Sequence, residues 1–361
     1  MRMALVLATR ASSATSPNPK VGCVLVKDGQ VIGQGWTQPV GQAHAEVQAL
    51  RDAAAHGANV RGATAYVTLE PCSHFGRTPP CANALIDAGV ARVVAAMQDA
   101  NPQVAGRGLS MLRGAGIEVE CGTMPELAQQ MRELNIGFFK RMETGRPWVR
   151  MKVAASLDGK TALPNGQSQW ITGAEARQDG HRWRARADAI LTGIGTVLAD
   201  DPQMTVRGVE TVRQPLKIVV DSQLRIAPEA KLLRNGGAIV VCNQHESGTA
   251  VQKQASLIAA GAELLLMPEQ NGQVDLNALL LELGRRQINE LHVEAGARLN
   301  GALITAKCVD ELLIYLAPKL LGQGAGMFDL PVLTHVDQAR ELVVHEVMQI
   351  GADVRVLARF V

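Results

Sequence analysis

His44-Ala45-Glu46-Val47-Gln48-Ala49-Leu50-Arg51 and the later run Glu70-Pro71-Cys72, closed by Cys81 after eight intervening residues, decide how the first half of the chain is read. Together they supply one imidazole and two thiolates, a usual ligand set for zinc, plus a carboxylate two residues after the histidine that need not bind metal. Three protein ligands leave the fourth tetrahedral position open, which marks a catalytic rather than a structural zinc. Zinc lowers the pKa of water towards neutrality, and Glu46 is placed to shuttle the proton. His74 is rejected as a fourth ligand, since a closed site could not activate water.

Outward from these residues the first half reads in short elements. Val21 to Val26 and Val31 to Trp36 are strands joined by an Asp28-Gly29 hairpin turn. His44 to Ala55 repeats apolar residues at helical spacing, and Thr64 to Leu69 is a β-branched strand. Pro79-Pro80 leads into a helix from Cys81 to Ala88, and Arg92 to Met97 is a further strand. The order is ββαβαβ with a weaker αβ unit behind it. Both metal-bearing segments therefore open helices, where the dipole favours a thiolate over a thiol. The pattern breaks at Thr144-Gly145-Arg146-Pro147. Beyond it, strands beginning at Trp148, Ala189, Leu216, Ala238, Glu263, Glu290 and Glu311 alternate with helices at Glu175 to Arg186, Leu276 to Arg286 and Ala297 to Ala306. That alternation predicts α/β architecture with a largely parallel sheet. Asn243 to Thr249 reads as a surface loop.

A chain of 361 residues is long for one core and suggests two domains. Only 3% of it is aromatic, so the cores must be aliphatic. A net charge of +2 argues against a basic nucleic-acid surface. No apolar run reaches the ~18 residues that span a bilayer. The start, Met1 to Ala8, reads as the end of an amphipathic helix rather than a signal peptide. Six irregularly spaced cysteines give no disulfide framework. Two are claimed by zinc, and Cys23, Cys121, Cys242 and Cys308 read as inert small hydrophobes. The expected setting is cytoplasmic.

Longer ordered motifs carry a resemblance. The segments 44–51, Tyr66 to Cys81 and Met97 to Gly108 resemble the bifunctional riboflavin-biosynthesis deaminase/reductases, and H-x-E with a downstream P-C is also the pattern of zinc-dependent nucleobase deaminases. The second half agrees through Ala155 to Lys160, Ser168 to Thr172, Val197 to Pro202 and Val293 to Gly296. The resemblance implies a cytidine-deaminase-like three-layer domain over 1–144 and a dihydrofolate-reductase-like domain over 146–361. It implies zinc-dependent hydrolytic deamination of 2,5-diamino-6-(5-phosphoribosylamino)pyrimidin-4-one with Glu46 as the catalytic acid–base group, then NADPH-dependent reduction of the ribosyl group to ribityl. It also implies a small-molecule substrate, no nucleic-acid or membrane partner, and a homo-oligomer, dimer or tetramer. The eight residues between the two cysteines replace the two of the general deaminase pattern. With Arg77 and Thr78 they offer basic and hydroxyl groups suited to a ribose phosphate. The Asn18 amide is implied to orient the pyrimidine, having both a donor and an acceptor.

The second half shows no G-x-G-x-x-G after a strand, and Gly193-Ile194-Gly195-Thr196 lacks the third glycine. Glu294 to Ala302 reads instead as a strand end opening into a helix, whose backbone N–H groups could take a pyrophosphate. Carried over by motif, NADPH would meet Ala154, Trp170, Thr196, Asp200, Ser222 and the turn Gly296, Ala297, Arg298, Leu299, Asn300, Gly301 and Ala302. The reductase substrate would meet Ser168, Arg184, Met204, Arg207 and Glu294. Arg184 and Arg207 suit a 5′-phosphate through forked hydrogen bonds. Met204 stands where leucine is more usual, a volume-conserving exchange. Lys152 is a candidate for a pyrimidine carbonyl. Two alternatives remain: a nucleic-acid base deaminase with an appended binding domain, which would need a basic face and stacking aromatics, and a deaminase with a non-catalytic C-terminal module.

Overall fold

A computed structural model of the chain describes residues 1–74, 79–234, 236–243 and 248–361. It divides into two compact units, Met1–Gly145 and Arg146–Val361.

The first unit is built on a sheet of β1 (Gly22–Lys27), β2 (Gln30–Trp36), β3 (Thr64–Val67), β4 (Arg92–Ala95) and β5 (Glu118–Cys121), in the order β2-β1-β3-β4-β5. β1 is antiparallel to β2 and β3, while β3, β4 and β5 run parallel. Asp28 and Gly29 turn the hairpin at positive φ (49° and 75°), the conformation a tight two-residue turn demands. Alternation along β1 separates two faces. Val24 packs under the helix Arg2–Thr9, beside Ala4 and Leu7, whereas Cys23 and Leu25 meet Ala45, Ala49 and Ala53 of the helix Ala45–Ala55. The three-layer arrangement expected from the resemblance is thus present. Close approach of the second helix depends on Gly35: a Cβ there would lie 2.4 Å from the Ala45 carbonyl oxygen, so any side chain would lift the helix that carries Glu46.

The second unit holds a nine-stranded sheet. Its strands are β6 (Trp148–Ser156), β7 (Ala189–Gly193), β8 (Leu216–Val220), β9 (Ala238–Asn243), β10 (Ala262–Met267), β11 (Glu290–Val293), β12 (Glu311–Ala317), β13 (Leu342–Ile350) and β14 (Asp353–Phe360). Their order is β10-β9-β8-β7-β11-β6-β12-β14-β13, with every pair parallel except those made by β14. The seven strands read from the sequence form the parallel part. β13 and β14 were not read: the edge strand β13 buries neither face cleanly, so it lacks the alternation that signals a half-buried strand. The helices Ile194–Asp200 and Gly248–Ala259 were also missed. The first opens on glycines, and the second adjoins the stretch read as a loop.

The core is aliphatic, with Val149, Met151, Leu191, Ile218, Val241 and Val293 nearly or fully buried. Charge crosses this sheet in register. Arg150 and Arg359 both face Glu311 on β12, Arg150 also reaches Glu290 on β11 at 3.0 Å, and Arg186 reaches Glu290 at 2.8 Å. Each buried carboxylate therefore has two guanidinium partners, which a desolvated charge requires. The guanidinium of Arg150 stands 4.4 Å from the Trp183 ring centre, with Arg186 and Arg355 each at 5.6 Å. These stacks seat the helix Ala174–Arg186 on the sheet. No helix among the described residues is long and apolar enough to cross a membrane.

Candidate functional site

In the first unit two helix starts and the coil after a strand converge. His44 caps the helix Ala45–Ala55, Cys72 follows β3, and Cys81 is the first residue of the helix Cys81–Asp87. His44 Nδ1 lies 3.6 Å from Cys72 Sγ and 3.4 Å from Cys81 Sγ, and the three donor atoms fall within 4.8 Å of one another. Ligands about 2.1 and 2.3 Å from one tetrahedral zinc stand about 3.6 Å apart, so both His44–sulfur separations match that ion. His74 is outside this group, the one such cluster among the described residues. The Cys81 N–H donates to Cys72 Sγ at 3.2 Å, using a free helix N-terminal amide to favour thiolate. The hydrogen bond with the Cys81 thiol, opposed by burial and aided by His44, brings the Cys72 thiol down to about 4.

Glu46 sits in the first turn beyond His44 and is 3% exposed. Burial, then the neighbouring Cys72 sulfur, push its carboxyl up to about 7. A group that gains and loses a proton near neutrality is what acid–base work at this site needs. The Asn18 backbone N–H is bonded to the Thr15 carbonyl at 2.9 Å, fixing the turn that carries its amide. Arg77 and Thr78, expected at the phosphate, lie outside the described residues.

In the second unit the candidates gather at the carboxyl ends of β8, β7, β11 and β6, four adjacent strands of the parallel sheet and the usual place for a ligand in such folds. Thr196 follows β7, Ser222 follows β8, Glu294 and Gly296 follow β11, and Ala154 lies in the last turnings of β6. A Cβ on Gly296 would be 3.9 Å from Thr196 Oγ1, so two of these loops are in contact range. Gly296 caps the helix Ala297–Thr305 in extended backbone (φ −77°, ψ 169°) with no side chain over the first amides. Gly296, Arg298 and Ala302 are exposed.

Arg184 and Glu294 form a forked pair, Nε to Oε1 at 2.5 Å and Nη2 to Oε2 at 2.8 Å, while Arg184 Nη1 donates to the Thr205 carbonyl at 2.9 Å. Burial works to raise the Glu294 carboxyl. Arg184, Lys152 and His292 reverse that and leave it well below the ordinary carboxylate range. Burial lowers Lys152, and Arg184 adds to the effect against Glu294. Met204 is buried at φ +53°. The Arg207 guanidinium bonds Thr205 Oγ1 at 3.0 Å and Gln203 Oε1 at 3.3 Å and is exposed.

Two details differ from the sequence reading. Arg184 is not a free fork for phosphate: its guanidinium anchors Glu294 and the 205 carbonyl, which leaves Arg207 as the outward cation. The Asn300 amide, 1% exposed, donates to the Ala295 and Met327 carbonyls at 3.1 and 3.3 Å, so it closes the turn from within. Ser168 and Trp170 ride on the loop before the helix Ala174–Arg186, where Trp170 stacks on Arg177 with a 4.5 Å separation. Asp200 ends the helix Ile194–Asp200. The sequence reading passed over His181. Its Nδ1 accepts the Arg207 N–H at 3.2 Å, one helical turn before Arg184 on the same face, an i, i+3 signal that was available.

Residues 147–356 match the family described as the RibD C-terminal domain, and residues 1–97 match the cytidine and deoxycytidylate deaminase zinc-binding region. A riboflavin biosynthesis protein RibD of Escherichia coli K12 is 49% identical, over 98% of this chain and 96% of its own length. One from Haemophilus influenzae is 47% identical over 98% and 95%. Among solved structures, Acinetobacter baumannii RibD superposes with a TM-score of 0.89 at 42% identity, covering 100% of this chain and 97% of that one. A Thermotoga maritima diaminohydroxyphosphoribosylaminopyrimidine deaminase/5-amino-6-(5-phosphoribosylamino)uracil reductase superposes with 0.85 at 31% identity, with the same coverage.

Proposed function

The chain belongs to the RibD family and is a bifunctional deaminase and reductase of riboflavin biosynthesis that uses zinc and NADPH, and we propose how its own residues divide that work. His44, Cys72 and Cys81 hold the metal. When bound, zinc supplies a Lewis acid that brings the pKa of water towards neutrality. Glu46 takes the proton of the attacking water and delivers it to the 2-amino nitrogen of 2,5-diamino-6-(5-phosphoribosylamino)pyrimidin-4-one, which leaves as ammonia while the C2–N bond breaks and a C2–O bond forms. Asn18 orients the pyrimidine. The observation that carries this reading is the convergence of one imidazole and two sulfurs within 4.8 Å beside the buried carboxyl of Glu46.

In residues 146–361, NADPH supplies the reducing equivalent when bound. The helix-opening amides at Gly296 to Arg298 receive its phosphates, with Ala154, Trp170, Thr196, Asp200, Ser222, Leu299 and Ala302 along the cofactor and Asn300 bracing the turn from within. Glu294 is held ionised by Arg184 and presents a fixed acceptor to the deaminated substrate, beside Lys152, Ser168 and Met204. Arg207 takes its phosphate. Residues 1–144 carry the deaminase and 146–361 the reductase. Incubation with the diamino substrate, with and without NADPH, followed by mass spectrometry of the products tests the division. The deaminated ribosyl compound must accumulate without NADPH and the ribityl compound appear with it; a chain that only deaminates has a non-catalytic second half.

The same chain self-associates, as dimer or tetramer, and works in the reducing cytoplasm, where six unpaired cysteines persist. Self-association is supported by β13, the outer strand of its sheet, which exposes Val343, Val344, Val347 and Met348. An apolar edge of that length is an aggregation hazard unless paired, and a second copy about a two-fold axis offers the same strand in return. Light scattering of the purified protein decides it: a single monomeric mass removes this part.

A further inference from the structure

We propose that Glu70 is a positioning residue for the metal centre: its carboxylate locks the helix Arg107–Gly114 against Pro71 and thereby fixes Cys72 opposite His44. The inference rests on the reading of His44, Cys72 and Cys81 as zinc ligands.

Glu70 is 3% exposed, and among the described residues no cationic side chain pairs with it. Instead its two oxygens accept four backbone N–H groups. Oε1 takes those of Gly108 at 2.9 Å and Leu109 at 3.3 Å; Oε2 takes those of Gly106 at 2.9 Å and Asp99 at 3.2 Å. Gly106 is the cap of the helix Arg107–Gly114 and stands at φ 86°, so its own residue offers no capping side chain. Helix caps ordinarily come from the chain just before the helix. Here the cap comes from 36 residues upstream, next to the turn that carries a metal ligand. The clamp is tight as well as charged: a Cβ on Gly108 would sit 1.9 Å from the Pro71 carbonyl oxygen.

Cys72 is consequently held from two sides. Ahead of it, its carbonyl accepts the Ala82 N–H at 3.1 Å and its sulfur accepts the Cys81 N–H. Behind it, Pro71 bears on the clamped helix, and the Glu70 N–H is bonded to the Met97 carbonyl at 3.0 Å. The forward bonds tie Cys72 to the other thiolate. The Glu70 side ties it back towards the sheet, through the backbone bond to Met97 just beyond β4, and so helps set its distance from His44.

Groups that orient metal ligands without touching the metal typically contribute 10- to 100-fold in affinity. The Glu70→Gln variant keeps one accepting oxygen and turns an NH2 donor towards N–H groups, so it loses about half the clamp without a change of shape. In the full-length protein, chelator competition should show zinc bound 10- to 100-fold more weakly. The thiolate-to-metal absorption of the cobalt-loaded variant should shift, while reduction of the already deaminated substrate keeps its kcat/KM. Gly108→Ala keeps the carboxylate chemistry but sets a Cβ 1.9 Å from the Pro71 carbonyl oxygen and 3.2 Å from Glu70 Oε1, and should weaken zinc in the same sense. If Glu70→Gln loses the fold of residues 1–145, Gly108→Ala alone decides. Zinc affinities within about twofold of wild type and an unshifted cobalt spectrum overturn the inference while leaving the ligand set intact. Absence of zinc binding by the wild type takes down the ligand set and the inference with it.

Discussion

The two sites meet the cost of burying polar groups in opposite ways. The deaminase pocket gathers an imidazole, two sulfurs and a carboxyl within a few ångströms, and no cationic side chain faces them among the described residues; its charge balance is left for a metal to supply. The reductase cluster is balanced from within, since Arg184, Lys152 and His292 surround Glu294. A site that waits for its counter-charge should fail completely when one donor is lost. A site already neutralised by its own fork should fail by degrees, because each lesion removes one contact among several.

The sharpest break in that contrast is Cys81→Ser. Wild type should hold one zinc per chain, and the variant should lose metal and deamination together, while NADPH-dependent reduction of the deaminated substrate continues. Metal analysis and the two separate assays read this directly. Full zinc occupancy in the variant refutes the ligand assignment.

Glu46→Gln asks whether the same pocket divides into ligands and a proton carrier. Zinc should stay, because the carboxylate is not a ligand, and deaminase kcat should fall by ~10²- to 10⁴-fold. A near wild-type rate removes Glu46 from the chemistry. Reductase kinetics again serve as the control for folding.

Graded failure is the expectation in the second unit. Arg207→Ala removes one charge-assisted contact, worth about 1.5–3 kcal/mol, so KM for the ribosylamino substrate should rise roughly 10- to 100-fold with NADPH affinity nearly unchanged. Gly296→Val should do the reverse, since a branched side chain at the exposed cap blocks approach of the cofactor phosphates. Exchange of the two phenotypes would mean exchanged subsites; silence in both would put the reductase site elsewhere.

These differences also explain what the sequence disclosed. Two metal ligands stand on helix starts and the third in the Pro-marked coil after a strand, so both their identity and their convergence could be read from spacing. Glu70 lay inside that span, yet its partners at 99–109 are backbone amides, which no residue type announces. The parallel strands were legible as continuous apolar runs. β13 was not, because an outer strand with both faces exposed has no period to read. Arg184 was recognised by motif, but its engagement with Glu294 across 110 residues is a tertiary fact. His181 likewise gained meaning only once the 203–207 segment was placed beside its helix.

His181 gives the finest test of a cluster balanced from within. Its Nδ1 accepts the Arg207 N–H, so its single proton belongs on Nε2 and the ring must be neutral to hold the loop that presents Arg207. Burial, then the Arg184 and Arg207 charges, with Lys152 acting the same way and Glu294 against them, bring its pKa down to about 4. Because the folded value lies below the unfolded value of about 6.5, the unfolded chain binds more protons between these limits. The contribution to stability is therefore complete above pH 6.5 and is lost as the pH falls towards 4. Nitrogen-15 spectra of the imidazole at pH 5.5 should show the neutral Nε2–H form, and reductase KM should carry no His181 titration between pH 8 and 5.5. Removing the acceptor with His181→Leu forfeits one neutral hydrogen bond, about 0.5–1.5 kcal/mol, and should raise that KM by roughly 2- to 13-fold with little change in kcat. His181→Gln, whose amide oxygen can accept the same N–H, should recover part of the loss. A histidine that titrates near 6.5, or a leucine variant with unaltered KM, would show that the loop is held without His181, by the Arg184 contact to Thr205 and the paired Gln214 contacts to Val206.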